Sequence, residues 1–195
     1  GVGADAPCVI VICEPSSNII TLGHKGKAQV AIKTHGVSAH GAAPERGVNA
    51  IYEMAEIIQR VEQTNLELMK KGDLRATLVM SRISSQSASL NAVPSECEAY
   101  LDRRMIPGES AEAIRHEMDQ LIQGKSATWE VGTLFRKSWT GLDIRYEPFH
   151  LAWKTDLEHP LAQASVAAYR ETFGCEPPAF DFWDFSTNAV TPVSL

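Results

Sequence analysis

No stretch of this sequence approaches the roughly 20 consecutive apolar residues that a membrane-spanning helix needs. Basic residues are also in deficit, 18 against 24 acidic, for a formal net charge of −6. A nucleic-acid or anionic-lipid surface wants clustered Lys and Arg, so neither nucleic acid nor membrane is expected as a partner. Cysteines are few and scattered: Cys8, Cys13, Cys97 and Cys175. None forms a CxxC pair, and a thiolate metal site needs closer spacing. Apolar neighbours point instead to reduced, mostly buried thiols in a cytoplasmic protein. The opening GVGADAPCVIVIC has no basic stretch and too short an apolar core for a signal peptide, so it reads as the middle of a domain.

What remains has globular composition, with 44% apolar and 22% charged residues in 195 positions. That length allows one ordinary domain or two small ones. Residues 8–13, CVIVIC, form a short continuous apolar run that predicts a buried strand of an α/β sheet. The following SSNIITLGHKG reads as a turn-rich connection. Residues 27–35 place Ala28, Val30 and Ile32 on one face of a half-buried strand. A helix is expected from Asn49 as N-cap to about Lys71, with Ile51, Ala55, Ile58 and Val61 as its apolar stripe. Strands follow at 76–83 and 96–105. Ser110 caps a second helix with a stripe of Ile114, Met118, Leu121 and Ile122, and residues 127–135 give a further strand.

This order, strand–helix–strand–strand–helix–strand over residues 26–136, predicts a ferredoxin-like βαββαβ unit with two helices on one face of an antiparallel sheet. An aromatic-rich loop comes next. A third helix is expected to start at His159-Pro160, with Leu161, Ala164 and Ala168 buried, Val166 and Phe173 as further candidates for that side, and Gly174 as its end, and FDFWDF is a candidate strand. Residues 1–25 and 137–195 read as strips of an α/β domain into which the ferredoxin-like unit is inserted. The expected division is therefore 1–25, 26–136 and 137–195, within an α/β (α+β) class.

Four residues stand out chemically. Glu14 follows the CVIVIC run directly, where ligands of open α/β sheets bind, and a carboxylate there suits a metal. His40 lies in GVSAHGAAPERG, among neighbours too small to shield it; small residues let backbone approach something closely. Asn91 precedes Val93-Pro94 in a loop, where it can serve as a turn residue. Arg104 lies near a strand end beside Asp102, able either to pair with it or to clamp a carboxylate in bidentate fashion.

CEPSS at 13–17, GVSAHGAAPERGVNAI at 36–51, NAVP at 91–94 and LDRRMIPGES at 101–110 together resemble the zinc-dependent hydrolases that include acetylornithine deacetylase, succinyl-diaminopimelate desuccinylase and carboxypeptidase G. SWTGL at 138–142 and FSTNAV at 185–190 further resemble the selenium-metabolism-linked hydrolase subgroup. The resemblance implies an amide-cleaving enzyme acting on an N-acyl amino acid or small peptide. It implies two zinc ions, with cobalt or manganese as alternatives, and a homodimer formed through the lid. Glu14 would ligate one metal. His40 would reach the partner subunit's site and stabilise an oxyanion, while Asn91 and Arg104 would hold the substrate carboxylate.

The same family uses an HxD motif, a Glu-Glu pair and a late histidine as ligands and base, and none of these stands in this sequence. The chain is therefore expected to bind no metal stably and to be inactive alone. A different reading, from fold pattern only, is a stand-alone ferredoxin-like dimerisation or small-molecule-binding module without catalysis.

Overall fold

A computed structural model describes residues 10–187 and 189–190. In chain order its elements are β1 (Ile20–His24), β2 (Gly26–His35), α1 (Ala50–Leu68), β3 (Thr77–Gln86), β4 (Glu96–Met105), α2 (Ala111–Ile122) and β5 (Ala127–Val131). Then come β6 (Leu134–Lys137), β7 (Asp143–Tyr146), β8 (Phe149–His150), β9 (Trp153–Lys154), α3 (Pro160–Phe173) and β10 (Phe180–Trp183). The chain divides into two compact units. One holds residues 28–104 and 109–149; the other holds 1–27, 105–108 and 150–195.

The first unit is built on a sheet of order β3-β4-β2-β5, with β8 joining β2 off this path. The pairs β2–β5 and β3–β4 are antiparallel. This is the ferredoxin-like strand order, as the sequence pattern predicts. Period-two alternation explains which side is covered: Cys97, Ala99, Leu101, Arg103 and Met105 of β4 are all buried, and the residues between them are not. Ala28, Val30 and Ile32 of β2 continue the same core.

Helix α1 starts where expected. The Asn49 side chain accepts from Ile51 N–H at 2.9 Å, satisfying one of the donors that a helix start leaves open. Val61 is buried as expected, but the rest of the stripe is displaced by one position: Ala50, Met54 and Ile57 are buried, whereas Ile51, Ala55 and Ile58 are exposed. Two adjacent stripes at helical spacing are both apolar here, and the one carrying Met54 and Ile57 buries more area than the one carrying Ala55. Helix α2 follows expectation, with the Ser110 hydroxyl accepting from Ala113 N–H and Ile114, Met118 and Leu121 buried. The strand expected over 127–135 breaks after Val131, where Gly132 N–H donates to Gln29 O, and resumes at Leu134. Part of the expected aromatic loop is then a hairpin, β6 with β7.

In the second unit β1 pairs parallel with β10 and antiparallel with β9. The segment expected to be a connection is thus partly strand: ITLGH buries Leu22 and His24, and its pairing partners lie more than a hundred residues away, out of reach of local turn signals. Conversely, Ile10–Cys13 is not a strand, and Ile10 and Val11 are exposed. A buried strand needs hydrogen-bonding neighbours, and no described residue pairs with this run. Cys8 and Val9 of the predicted strand lie outside the described residues, as does Asn188 of FSTNAV. Helix α3 begins with His159 as N-cap and Pro160 at its first position, and ends at Gly174. Its buried residues are Ala162 and Val166; Val166 is among the expected ones, whereas the expected Ala164, Ala168 and Phe173 are exposed.

Candidate functional site

The His40 loop leaves β2 at Gly36 and returns to α1 at Asn49. Val37 and Val48 close its base with two reciprocal backbone hydrogen bonds of 2.9 Å. Its tip runs antiparallel to residues 91–93. Gly41 N–H donates to Asn91 O at 2.6 Å, and Val93 N–H donates to Ala39 O at 2.7 Å. The 91–95 segment is pinned in turn, since Pro94 O accepts from Ala50 N–H and Ser95 O from Gly36 N–H.

This answers why the loop residues are small. A Cβ on Gly36 would stand 2.1 Å from Val48 O, and one on Gly41 would stand 2.8 Å from Asn91 O. The glycines permit close backbone packing of the loop onto its neighbours. The imidazole is thus carried on a braced support, the arrangement that a preorganised donor requires.

Two of the four singled-out residues come together. Asn91 Nδ2 lies 3.3 Å from His40 Nε2, and both side chains are exposed. On the other ring nitrogen, Ala42 N–H donates to His40 Nδ1 at 3.1 Å. Ser89 Oγ lies 2.6 Å from Asn91 Oδ1; nothing in the local pattern distinguishes Ser89 from the other serines of its serine-rich loop.

Arg104 projects from the outer face of β4. Its Nε donates to Asp102 Oδ1 at 2.6 Å and its Nη2 to Asp102 Oδ2 at 3.2 Å. Gln29 Nε2 also donates to Asp102 Oδ2, from the neighbouring strand. The pair is partly exposed, a setting in which ion pairs contribute little to stability and exchange partners readily.

Its neighbour Arg103 is completely buried. Arg103 Nε donates to Glu117 Oε1 at 2.8 Å and Nη2 to Glu109 Oε1 at 2.5 Å, while Nη1 donates to Arg104 O at 2.6 Å. Burial works against its charge, and the two carboxylates outweigh that, so its pKa lies above the ordinary guanidinium value. The alternation of β4 was the available signal: an arginine in register with Leu101 and Met105 must face the core and needs partners there.

Glu14 is half-buried in the other unit. Among the described residues no three His, Cys, Asp or Glu side chains are grouped so as to hold a metal ion. One carboxylate does not hold a metal pair, so the described residues do not by themselves fit the dinuclear centre that the resemblance implies. That unit also buries His24. Its Nε2 accepts from Trp153 Nε1–H at 2.9 Å and its Nδ1 lies 2.9 Å from Lys25 O, which fixes a neutral ring with the proton on Nδ1. Burial pushes its pKa below the ordinary value, against the opposing effect of the hydrogen bond to Lys25.

The ferredoxin-like sheet, with its histidine loop laddered onto an Asn-Ala-Val-Pro segment, defines a mixed α/β domain. Residues 22–130 match the peptidase dimerisation domain (M20_dimer), and the chain belongs to that family. It is 36% identical over 188 residues to the uncharacterized protein YgeY of Escherichia coli (strain K12), a match covering 95% of this chain and 46% of YgeY. It is 31% identical over 129 residues to the acetylornithine deacetylase of Vibrio parahaemolyticus, covering 63% of this chain and 34% of that enzyme. The fold is similar to that of a tripeptidase from Staphylococcus aureus, with a TM-score of 0.66 at 16% identity over 93% of this chain and 44% of that one. The chain spans less than half the length of these relatives.

Proposed function

We propose that this chain is the dimerisation-domain part of a metal-dependent amidohydrolase that cleaves an N-acyl amino acid or small peptide. In this reading the enzyme works as a homodimer, and His40 of one protomer enters the substrate cleft of the other. Its ring N–H donates to the oxyanion that forms when the amide carbonyl is attacked. Asn91 and Arg104 hold the substrate carboxylate; Arg104 would exchange Asp102 for it, which the partial exposure of that pair permits. Glu14 would contribute one ligand to a pair of zinc ions whose other ligands lie beyond the described residues, and the metals, when bound, would supply the activated water; the residues present here orient the substrate and meet the developing charge.

The observation that carries this reading is the placement of His40. It is an exposed imidazole beside a second polar side chain, held at the edge of a braced loop. A structural histidine would be buried, as His24 is. The deacetylase similarity supports the amide-cleaving class. Dimer formation is supported by β3, which ends the sheet with a single neighbour and exposes Val79 and Ile83, a row open to further strand pairing.

The test uses both this chain and the longer polypeptide to which this reading assigns it. The chain with added zinc or cobalt turns over no N-acyl amino acid; clear turnover would refute the reading. In the complete enzyme His40→Ala lowers kcat by about 10²–10³-fold, the usual loss for one oxyanion donor, with metal content unchanged.

A further inference from the structure

The two sides of the His40 ring make unequal demands. Ala42 N–H donates to Nδ1, so Nδ1 presents a lone pair and carries no proton. A neutral imidazole must then carry its proton on Nε2. Nε2 faces the Asn91 amide at 3.3 Å, and the amide nitrogen on that side would set donor against donor. A half-turn of the amide about its Cβ–Cγ bond keeps the heavy-atom positions and removes the conflict. Asn91 Oδ1 then accepts from Nε2–H, and Asn91 Nδ2–H donates to Ser89 Oγ, a contact that opens slightly from 2.6 Å to the ordinary N–H···O range.

We propose that Ser89 and Asn91 form a relay that locks His40 in the Nε2–H tautomer, with Ser89 a positioning residue that acts through Asn91. The inference deepens the reading of His40 as an oxyanion donor and rests on it for its catalytic consequence. Only a ring with its proton on the outward nitrogen can donate there. A ring with its proton on Nδ1 would face Ala42 N–H and turn a lone pair towards the substrate. In the resting state Asn91 holds that proton in place, and the substrate carbonyl takes over as acceptor when it arrives. Ser89 fixes which end of the amide His40 meets. Backbone bonds from Gly41 and Val93 keep the two segments in register while this exchange occurs.

The direct test is the ring nitrogen signature of His40, read from long-range proton–nitrogen correlations on the chain in neutral to alkaline solution. Wild type is expected to show a pyridine-like Nδ1 and a pyrrole-like Nε2. Ser89→Ala leaves the Ala42 N–H as the one remaining bias on the ring and is expected to lower the Nε2–H share measurably, and Ser89→Thr, which keeps the hydroxyl, to restore it. A wild-type ring protonated on Nδ1, or a tautomer unchanged in Ser89→Ala, overturns the relay. In the complete enzyme Ser89→Ala should lower kcat several-fold, with rescue by Ser89→Thr. If the tautomer shifts and kcat does not, the relay stands and the oxyanion role of His40 falls.

Discussion

Arg103 and Glu117 meet through two hydrogen bonds, of 2.8 and 3.2 Å, on the helix side of the sheet. The guanidinium is fully buried, while the Glu117 side chain keeps about one-fifth of its surface in solvent. Removing one partner of a buried pair strands a charge and typically costs 3–5 kcal/mol. Because Glu117 and Glu109 can still reach water, Arg103→Ala should sit near the lower end, at about 3 kcal/mol of lost stability. Urea unfolding checks this. Arg103→Met keeps the volume without the charge and should lose less.

His24 makes stability depend on pH. Its folded pKa lies below the ordinary 6.5 because burial disfavours the charged ring. Above that ordinary value the ring is neutral in both states and costs nothing. As pH falls below it, the unfolded chain binds a proton that the native ring refuses, so stability declines towards the folded pKa. The melting temperature should therefore drop between pH 7.5 and pH 5. A substitution of His24 by Gln, which keeps a polar partner for Trp153, should flatten the His24 share of that slope.

The cysteines should divide by burial. Cys97 is buried, and burial raises its thiol pKa, which suppresses the reactive thiolate. Cys13 and Cys175 are exposed. Brief treatment with an alkylating reagent should label Cys13 and Cys175, and label Cys97 only after denaturation, as read by peptide mass spectrometry.

The packing of the His40 loop is testable through Gly36. An added Cβ would press on Val48 O and Ala50 N, both backbone atoms that cannot swing aside. Gly36→Ala should destabilise by about 1–3 kcal/mol, as overpacking generally does. Gly72 has open space around it but a φ of +69°. Its replacement by Ala should carry only the smaller strain of a left-handed backbone.

What the sequence made legible is what local pattern encodes. Alternation along 96–105 located β4 and its buried face, and Asn49, Ser110 and Pro160 marked the three helix starts. Two adjacent apolar stripes in α1 made the buried face ambiguous by one position, since both fit the helical period. Pairing between distant segments was not legible: β1 finds β10 across more than 150 residues, and no short-range signal announces it. The neighbourhood of His40 and Asn91 likewise depends on a backbone ladder between residues about fifty apart, which no local pattern announces. Arg103 hid behind Arg104, because the eye follows a charge towards solvent unless strand parity is applied to it.

The lending of His40 across the subunit boundary is tested most directly by mixing inactive partners of the complete enzyme. His40→Ala protomers keep the metal ligand, Glu14→Ala protomers keep the imidazole, and each alone should be inactive. If His40 acts in the other subunit's cleft, hybrid dimers regain one working site, built from Glu14 of one protomer and His40 of its partner. Recovered activity after subunit exchange is the predicted result. Hybrid dimers that form and stay inactive would show that His40 serves its own protomer or none, and would contradict the proposal.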